Sequence, residues 1–189
     1  MQIGTIGSAL INAGICTLIG VFFINITKTP ISGSVVAACM NITGFALLGK
    51  NPFNILPPIL GVYAFALFNL EDLEKYTPTA LFACGIAPIV SYITYFEGFN
   101  TLHGVILGPI IGFIIGFIMP PVSHNVVSVH YGYSHYNNGF SLGIIGSLAA
   151  ALLTMFGIEV TSTNVVMTYT DYRLVSVSYT HLTLPTTPY

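Results

Sequence analysis

The stretch LHGVILGPIIGFIIGFIM, residues 102–119, decides the fold. It contains no Asp, Glu, Lys or Arg, and it lies within residues 98–158, which contain none either. A helix needs roughly 20 predominantly apolar residues to cross the hydrocarbon core of a bilayer. This stretch therefore predicts a membrane-spanning helix.

The rest of the chain has the same character. Only 4 Lys+Arg and 6 Asp+Glu occur in 189 residues, hydrophobic residues make up 54%, and the mean hydropathy is +0.84. Soluble domains are usually about a quarter charged, so the composition predicts a lipid bilayer as the surrounding medium. The net charge of −2 provides no basic field for nucleic acid.

Five further apolar segments flank the first one, and Pro, Gly, Asn or charged residues separate them. The six segments are 3–26, 31–49, 53–70, 77–96, 102–119 and 139–157. Backbone polar groups in lipid must be satisfied within the segment, which favours helices. The predicted fold is all-α, a polytopic helical membrane protein.

One stretch interrupts this pattern, GKNPFNILPP at 49–58. Because Pro removes a backbone donor and clashes with the preceding turn, the stretch predicts either a short loop followed by a kinked spanning helix or a re-entrant or broken helix. With connections on alternating sides, Lys50 would lie on the face opposite Lys28 and Lys75. No ionisable group is expected deep in the membrane.

Several uncharged polar residues do fall inside the segments. Asn12, Asn41, Thr43 and Ser91 are expected to form hydrogen bonds between helices. The three cysteines also lie in apolar segments without CxxC spacing, which is typical of small buried side chains rather than of disulfides.

Glycines recur every four residues in segment five, at Gly104, Gly108, Gly112 and Gly116. Residues at this spacing lie near one face of a helix, and glycine there lets a second backbone approach closely. Gly139 and Gly143 begin a similar pattern in segment six. We expect these six glycines to serve helix packing; sliding between helices or narrowing of a pore is the alternative.

Residues 120–138, PPVSHNVVSVHYGYSHYNN, are rich in His, Tyr and Asn and contain no formal charge. Since Pro120 and Pro121 should stop the preceding helix, the stretch is expected to be a connection, either an interfacial loop or the lining of a polar solute site. Its histidines are six and five residues apart, which does not match the i, i+4 pair of a helical zinc site. No metal, other cofactor or catalytic residue is predicted.

Three strings together resemble a bacterial membrane family, the domain of unknown function 1576 family. They are NITGFALLGKNPFN at 41–54, GIAPIV at 85–90, and MPPVSH at 119–124 continued by HYGYSHYNNGF at 130–140. The resemblance covers nearly all of 1–173 and implies a multi-pass protein of the bacterial plasma membrane. It supplies no catalytic residues.

The end of the chain differs from the rest. SVSYTHLTLPTT at 176–187 resembles a translated sequencing adapter, although a genuine polar, β-prone tail is the alternative. We therefore expect an incomplete transmembrane helical domain over 1–173 and a non-native tail over 174–189.

Segment count and uncharged polar stretches together favour a transporter or channel for a small polar solute. The predicted lining residues are Asn51, Asn54, His124, His130, Tyr133, His135, Asn137 and Asn138. Alternatives are a membrane-embedded enzyme that uses the histidines, and a non-catalytic assembly or sensing component. The expected partners are the lipid bilayer, the solute and further copies of the chain.

Overall fold

The structure, a computed structural model, describes residues 6–96, 98, 100–131 and 137–157. The side chains of Ile6, Thr101 and His130 are outside this description. The predicted boundary near residue 173 and the tail over 174–189 also lie outside the described residues.

Every regular element among the described residues is helical, which confirms the all-α prediction. The helices are α1 (Ile6–Ile26), α2 (Gly33–Ala46), α3 (Pro52–Phe68), α4 (Leu73–Ala83), α5 (Ala87–Thr94), α6 (Thr101–His130) and α7 (Asn137–Met155). A 3₁₀ turn, Cys84–Ile86, joins α4 to α5. The two helices and this turn form one interrupted helix, so the described residues contain the six predicted segments.

Four of these segments are long and apolar enough to cross a membrane. They are Gly7–Ile26, Leu73–Thr94, Leu102–Val129 and Asn137–Met155. On α1, large apolar side chains such as Leu10, Ile11 and Leu18 are more than half exposed. Water would disfavour such a surface, whereas lipid accommodates it.

Helices α2 and α3 form a hairpin that turns inside the bundle. Helix α2 runs back along α1, since Thr43 Oγ1 lies 2.7 Å from Thr17 Oγ1 and Asn12 Nδ2 donates to Ala46 O at 2.8 Å. Helix α1 extends six residues beyond Asn12 to Ile6, about 9 Å at 1.5 Å per residue. The hairpin therefore turns short of the end of α1.

Helix α3 then returns toward the end of the bundle where α2 begins. The Tyr63 ring lies 5.4 Å from the Phe23 ring near the end of α1, and Tyr63 Oη donates to Thr77 Oγ1 in α4. The position of this turn inside the bundle fits the re-entrant interpretation of 49–58. Helix α3 has only 17 residues, with Pro57 and Pro58 inside it, and is shorter than the four spanning segments.

Helix α6 extends further than the sequence predicted. It runs through Pro120 and Pro121 to His130, so most of the predicted connection is helical. Proline fixes φ near the helical value, and its missing N–H removes a single hydrogen bond. In membranes, neighbouring helices compensate for that loss; Pro120 is buried among them.

Helix α6 packs its glycines against α3 and α5. A Cβ on Gly116 would collide with the carbonyl oxygen of Pro58, and one on Gly104 with that of Thr94. Gly108 and Gly112 lie in the same way against Val90. Gly104 and Gly116 therefore lie against backbone, whereas the nearest atoms to Gly108 and Gly112 are the side chains of Thr94 and Val90.

The two glycines of α7 have different surroundings. Gly139 lies half-buried in the first turn of the helix. A Cβ on Gly143 would meet nothing within 4 Å, so this position packs against no other helix of the described chain. The i+4 spacing is the same in α6 and α7, but Gly143 faces open space, whereas the four α6 glycines face neighbouring helices.

Candidate functional site

The turn between α2 and α3 buries a lysine. Lys50 is only 4% exposed, and its Nζ lies 3.6 Å from Cys84 Sγ and 4.3 Å from the centre of the Phe45 ring. The sequence placed Lys50 in a connection between helices, whereas the structure buries its side chain inside the bundle. Lysine is almost never fully buried without a partner, and ionisable groups inside membrane bundles are commonly functional.

The backbone of this turn is held by side chains of α1. Asn12 Nδ2 donates to Lys50 O at 2.6 Å as well as to Ala46 O, and Cys16 Sγ lies 3.9 Å from Lys50 O. Ala46 is the last residue of α2, where carbonyls lack partners within the helix; its carbonyl also accepts from Gly49 N at 3.4 Å. Asn12 therefore provides the carbonyls of Ala46 and Lys50 with a donor inside the bundle.

The first turn of α3 is capped by two asparagines. Asn51 Oδ1 accepts from Asn54 N at 3.2 Å, and Asn54 Oδ1 accepts from Asn51 N at 2.8 Å, which is a reciprocal capping box. Asn54 Nδ2 also donates to Ser91 Oγ in α5 at 2.8 Å. Gly49 has φ +115°, a conformation that favours glycine, so the tight turn depends on it.

The interruption between α4 and α5 faces this turn. Cys84, the first residue of the 3₁₀ turn, is fully buried and contacts Lys50 Nζ. Two interrupted helical elements thus meet around one lysine. We call this region the hairpin junction; it consists of Asn12, Cys16, Lys50, Asn51, Asn54, Cys84 and Ser91.

A second polar region, the outer cavity, lies between the first part of α4, the last third of α6 and the start of α7. Its volume is about 460 Å³. The lining includes Phe65, Glu71, Lys75, Tyr76, Thr79, Pro120, Pro121, Ser123, His124, Asn125, Val127 and Asn137. Its polar groups are the charged side chains of Glu71 and Lys75 together with amide, hydroxyl and imidazole groups.

One ion pair borders the outer cavity. Lys75 Nζ lies 2.5 Å from Glu71 Oε2, and Tyr76 Oη donates to the same oxygen at 2.7 Å. The hydrogen bonds from Lys75 and then Tyr76 lower the pKa of the Glu71 carboxyl from its ordinary value. Glu71 is therefore ionised at neutral pH.

Asn138 links three helices at the inner side of this cavity. Its Oδ1 accepts from Ser123 Oγ of α6 at 2.5 Å and from Thr79 Oγ1 of α4 at 3.0 Å. The neighbouring Asn137 lines the cavity, and its Oδ1 is buried without a hydrogen bond from any described residue. That oxygen is an unused acceptor next to the open space.

The structure divides the predicted lining residues between these two regions. Asn51 and Asn54 lie at the hairpin junction, whereas His124, Asn137 and Asn138 lie at the outer cavity. Their contacts on the interrupted helix, Ser91 and Thr79, are 12 residues apart, about 18 Å at helical rise. His130 ends α6 and its side chain is outside the description, as are Tyr133 and His135 altogether.

Sequence reasoning missed the central residue, Lys50. The signal was present, because Lys50 is the only charged residue between Lys28 and Glu71. The expectation for uncharged groups was better: hydrogen bonds between helices are confirmed for Asn12, Thr43 and Ser91. The buried Oδ1 of Asn41 accepts no hydrogen bond from the described residues.

The cysteines are buried and free, as predicted. Within the described ranges, no three or more His, Cys, Asp or Glu side chains lie together in an arrangement that could hold a metal ion.

Comparison with protein families identifies one match. The model of the family described as "protein of unknown function (DUF1576)" matches residues 1–155. The chain belongs to the DUF1576 family. The match covers all seven helices, so the hairpin junction and the outer cavity both lie in the DUF1576 region. Comparisons with curated proteins and with solved structures find no match.

Proposed function

We propose that this DUF1576 protein moves a small polar solute across the plasma membrane of a bacterium, as a transporter or channel. One observation carries the proposal: the re-entrant hairpin and the interrupted helix meet inside the bundle at a buried lysine. Interrupted helices in transporters place helix ends and unpaired backbone groups around a solute near the middle of the membrane.

The outer cavity supports the same function. It is large enough for a small solute, and its open side leads to uncharged hydrogen-bonding groups at Ser123, His124 and Asn137. Such groups replace the hydration of a small solute as it leaves water. On this proposal the solute enters through the outer cavity and reaches the hairpin junction when the helices between them move apart.

Osmotic swelling of proteoliposomes tests the proposal without knowledge of the solute. Vesicles that contain the 189-residue chain are mixed with an excess of urea, glycerol, alanine or potassium lactate, and light scattering follows their re-swelling. We expect at least one solute to enter faster than into protein-free vesicles. The variant Asn54→Leu, which removes the Asn54–Ser91 hydrogen bond, should slow that entry.

The control is Asn25→Leu, at an exposed position near the end of α1. It should behave as the wild type. Equal swelling with and without protein for all four solutes would rule out the proposal, and an Asn54→Leu variant that folds and conducts normally would remove the junction from the pathway.

A further inference from the structure

Lys50 has no negatively charged partner among the residues that the structure describes. The one ion pair among the described residues is Glu71–Lys75. The described carboxylates, Glu71, Asp72 and Glu74, follow the end of α3 that is opposite to Lys50. Helix α3 has 17 residues, which corresponds to about 25 Å between its ends. The carboxylates that the structure describes are therefore too distant to neutralise Lys50.

The other titratable groups around Lys50 are thiols. Cys84 Sγ of the interrupted helix lies 3.6 Å from Lys50 Nζ, and Cys16 Sγ of α1 lies 3.9 Å from Lys50 O; both belong to one buried apolar cluster. A buried thiol is a weak acid and resists ionisation in apolar surroundings. The cluster therefore supplies contacts to Lys50 but no counter-charge.

An unpaired ammonium in such a place is strongly disfavoured, and the group loses its proton instead. Burial of Lys50 without a described counter-charge therefore favours the uncharged amine over the ammonium. An uncharged amine can accept a proton when a negative charge arrives beside it, because the ion pair compensates for the desolvation of each ion. The site is thus able to hold one anion and one proton together, but neither alone.

We propose that Lys50 binds a small monovalent anion at the hairpin junction and takes up one proton with it. This inference rests on the proposed transport function. The anion chemistry that fits is a single carboxylate or an oxyanion of similar size, since one amine compensates one charge. The start of α3 directly after Lys50 adds partial positive charge on the same side.

The charges balance in each step. A proton from water bonds to the lone pair of Lys50 Nζ as the anion enters, which gives an ammonium–anion pair of zero net charge. On release, the anion leaves, the proton returns from Nζ to water, and the Cys84 thiol remains protonated throughout. One anion and one proton therefore move together, and transport is electroneutral.

Proteoliposomes with the 189-residue chain test this inference. The probes are radiolabelled nitrate, lactate and lactamide, the last being a neutral match for lactate. Tracer uptake is measured together with the luminal pH, with an inward pH gradient or with a potassium diffusion potential. Uptake into protein-free vesicles is subtracted, because lactic acid crosses lipid unaided.

We expect nitrate or lactate uptake to be driven by an acidic exterior, to be insensitive to the membrane potential, and to acidify the lumen by about one proton per anion. Lys50→Met should reduce it about tenfold or more, the effect of removing a charged hydrogen-bond partner. Lys28→Met, which removes an exposed lysine in the α1–α2 turn, should leave it unchanged. Lys50→Arg should bind the anion without proton coupling, because Arg retains its proton.

Three results would overturn the inference. Nitrate and lactate uptake that is equal in the wild type and in a folded Lys50→Met variant would leave the transport function intact but remove anion binding. Anion uptake in the wild type without luminal acidification would contradict the coupling of one proton to each anion. This measurement needs no variant. The absence of any flux above protein-free vesicles would remove the proposed function together with the inference.

Discussion

The middle and the beginning of α3 are attached to the bundle in opposite ways. Its middle presses backbone to backbone against α6, where Gly61 faces Phe113 and Phe117, and Gly116 faces Pro58. Its beginning is held by side-chain hydrogen bonds around Lys50. Dense apolar packing resists opening, whereas polar contacts are able to exchange partners with water or a solute. The difference assigns rigidity to the glycine contact and mobility to the hairpin junction.

The largest effect on stability is expected at the glycine contact between α6 and the middle of α3. Gly116→Leu places a side chain where the Pro58 carbonyl lies, and overpacking of this kind costs about 1–3 kcal/mol or more. The variant should unfold at a clearly lower temperature in detergent, measured by circular dichroism. Gly143→Leu, which enters open space, is the matched control and should unfold as the wild type does.

A normal unfolding temperature for Gly116→Leu would mean that α3 and α6 are further apart than described. The contrast between a rigid middle and a mobile beginning of α3 would then no longer hold.

A smaller effect on stability is expected at the hairpin junction, where α3 begins. Asn12→Ala removes the donor for the carbonyls of Ala46 and Lys50, and hydrogen bonds between membrane helices are worth about 0.6–1.7 kcal/mol. The fold should persist, while the turn becomes more accessible to water. Hydrogen exchange by mass spectrometry should detect faster exchange at 47–51 than in the wild type.

Hydrogen exchange in the Asn12→Ala variant also distinguishes loosening of the hairpin alone from loosening of the whole bundle. Exchange in α6 should remain as slow as in the wild type, since its contacts do not involve Asn12. Equal acceleration in both regions would indicate that the hairpin is not an independently mobile element.

The smallest effect is expected at the exposed ion pair of the outer cavity. The Glu71 pKa is lowered from 4.5, so the stabilisation by its partners is complete above 4.5 and disappears as the pH falls through the lower folded-state value. Thermal unfolding of the wild type and Glu71→Gln should differ slightly at pH 6 and converge at strongly acidic pH. A difference that persists at acidic pH would contradict the assigned pair.

Composition and periodicity predicted the outline of the fold well. Six apolar segments were predicted, and the described part of the chain contains six helical segments, because a lack of charge over about 20 residues can be read along the sequence alone. The spacing of the α6 glycines also indicated a close contact. The spacing did not reveal the partners, since Val90, Thr94 and Pro58 come from other parts of the chain.

The candidate site was predicted less well, and two residues explain why. Lys50 was assigned to a surface connection because sequence does not reveal whether a short turn re-enters the bundle. Pro120 was expected to end a helix, yet helical neighbours compensate for its missing donor. Both errors concern tertiary packing around a residue whose local preference is clear.

The depth of the hairpin turn tests the account most directly. A spin label attached at Leu48→Cys reports how often it collides with oxygen, which concentrates in lipid, and with a nickel complex, which stays in water. A label at Lys28→Cys provides an exposed reference. The unsubstituted protein controls for labelling of its buried cysteines. We predict high oxygen and low nickel accessibility at position 48, with the reverse at position 28. Nickel accessibility at position 48 equal to that at position 28 would contradict a turn within the membrane and, with it, a buried Lys50.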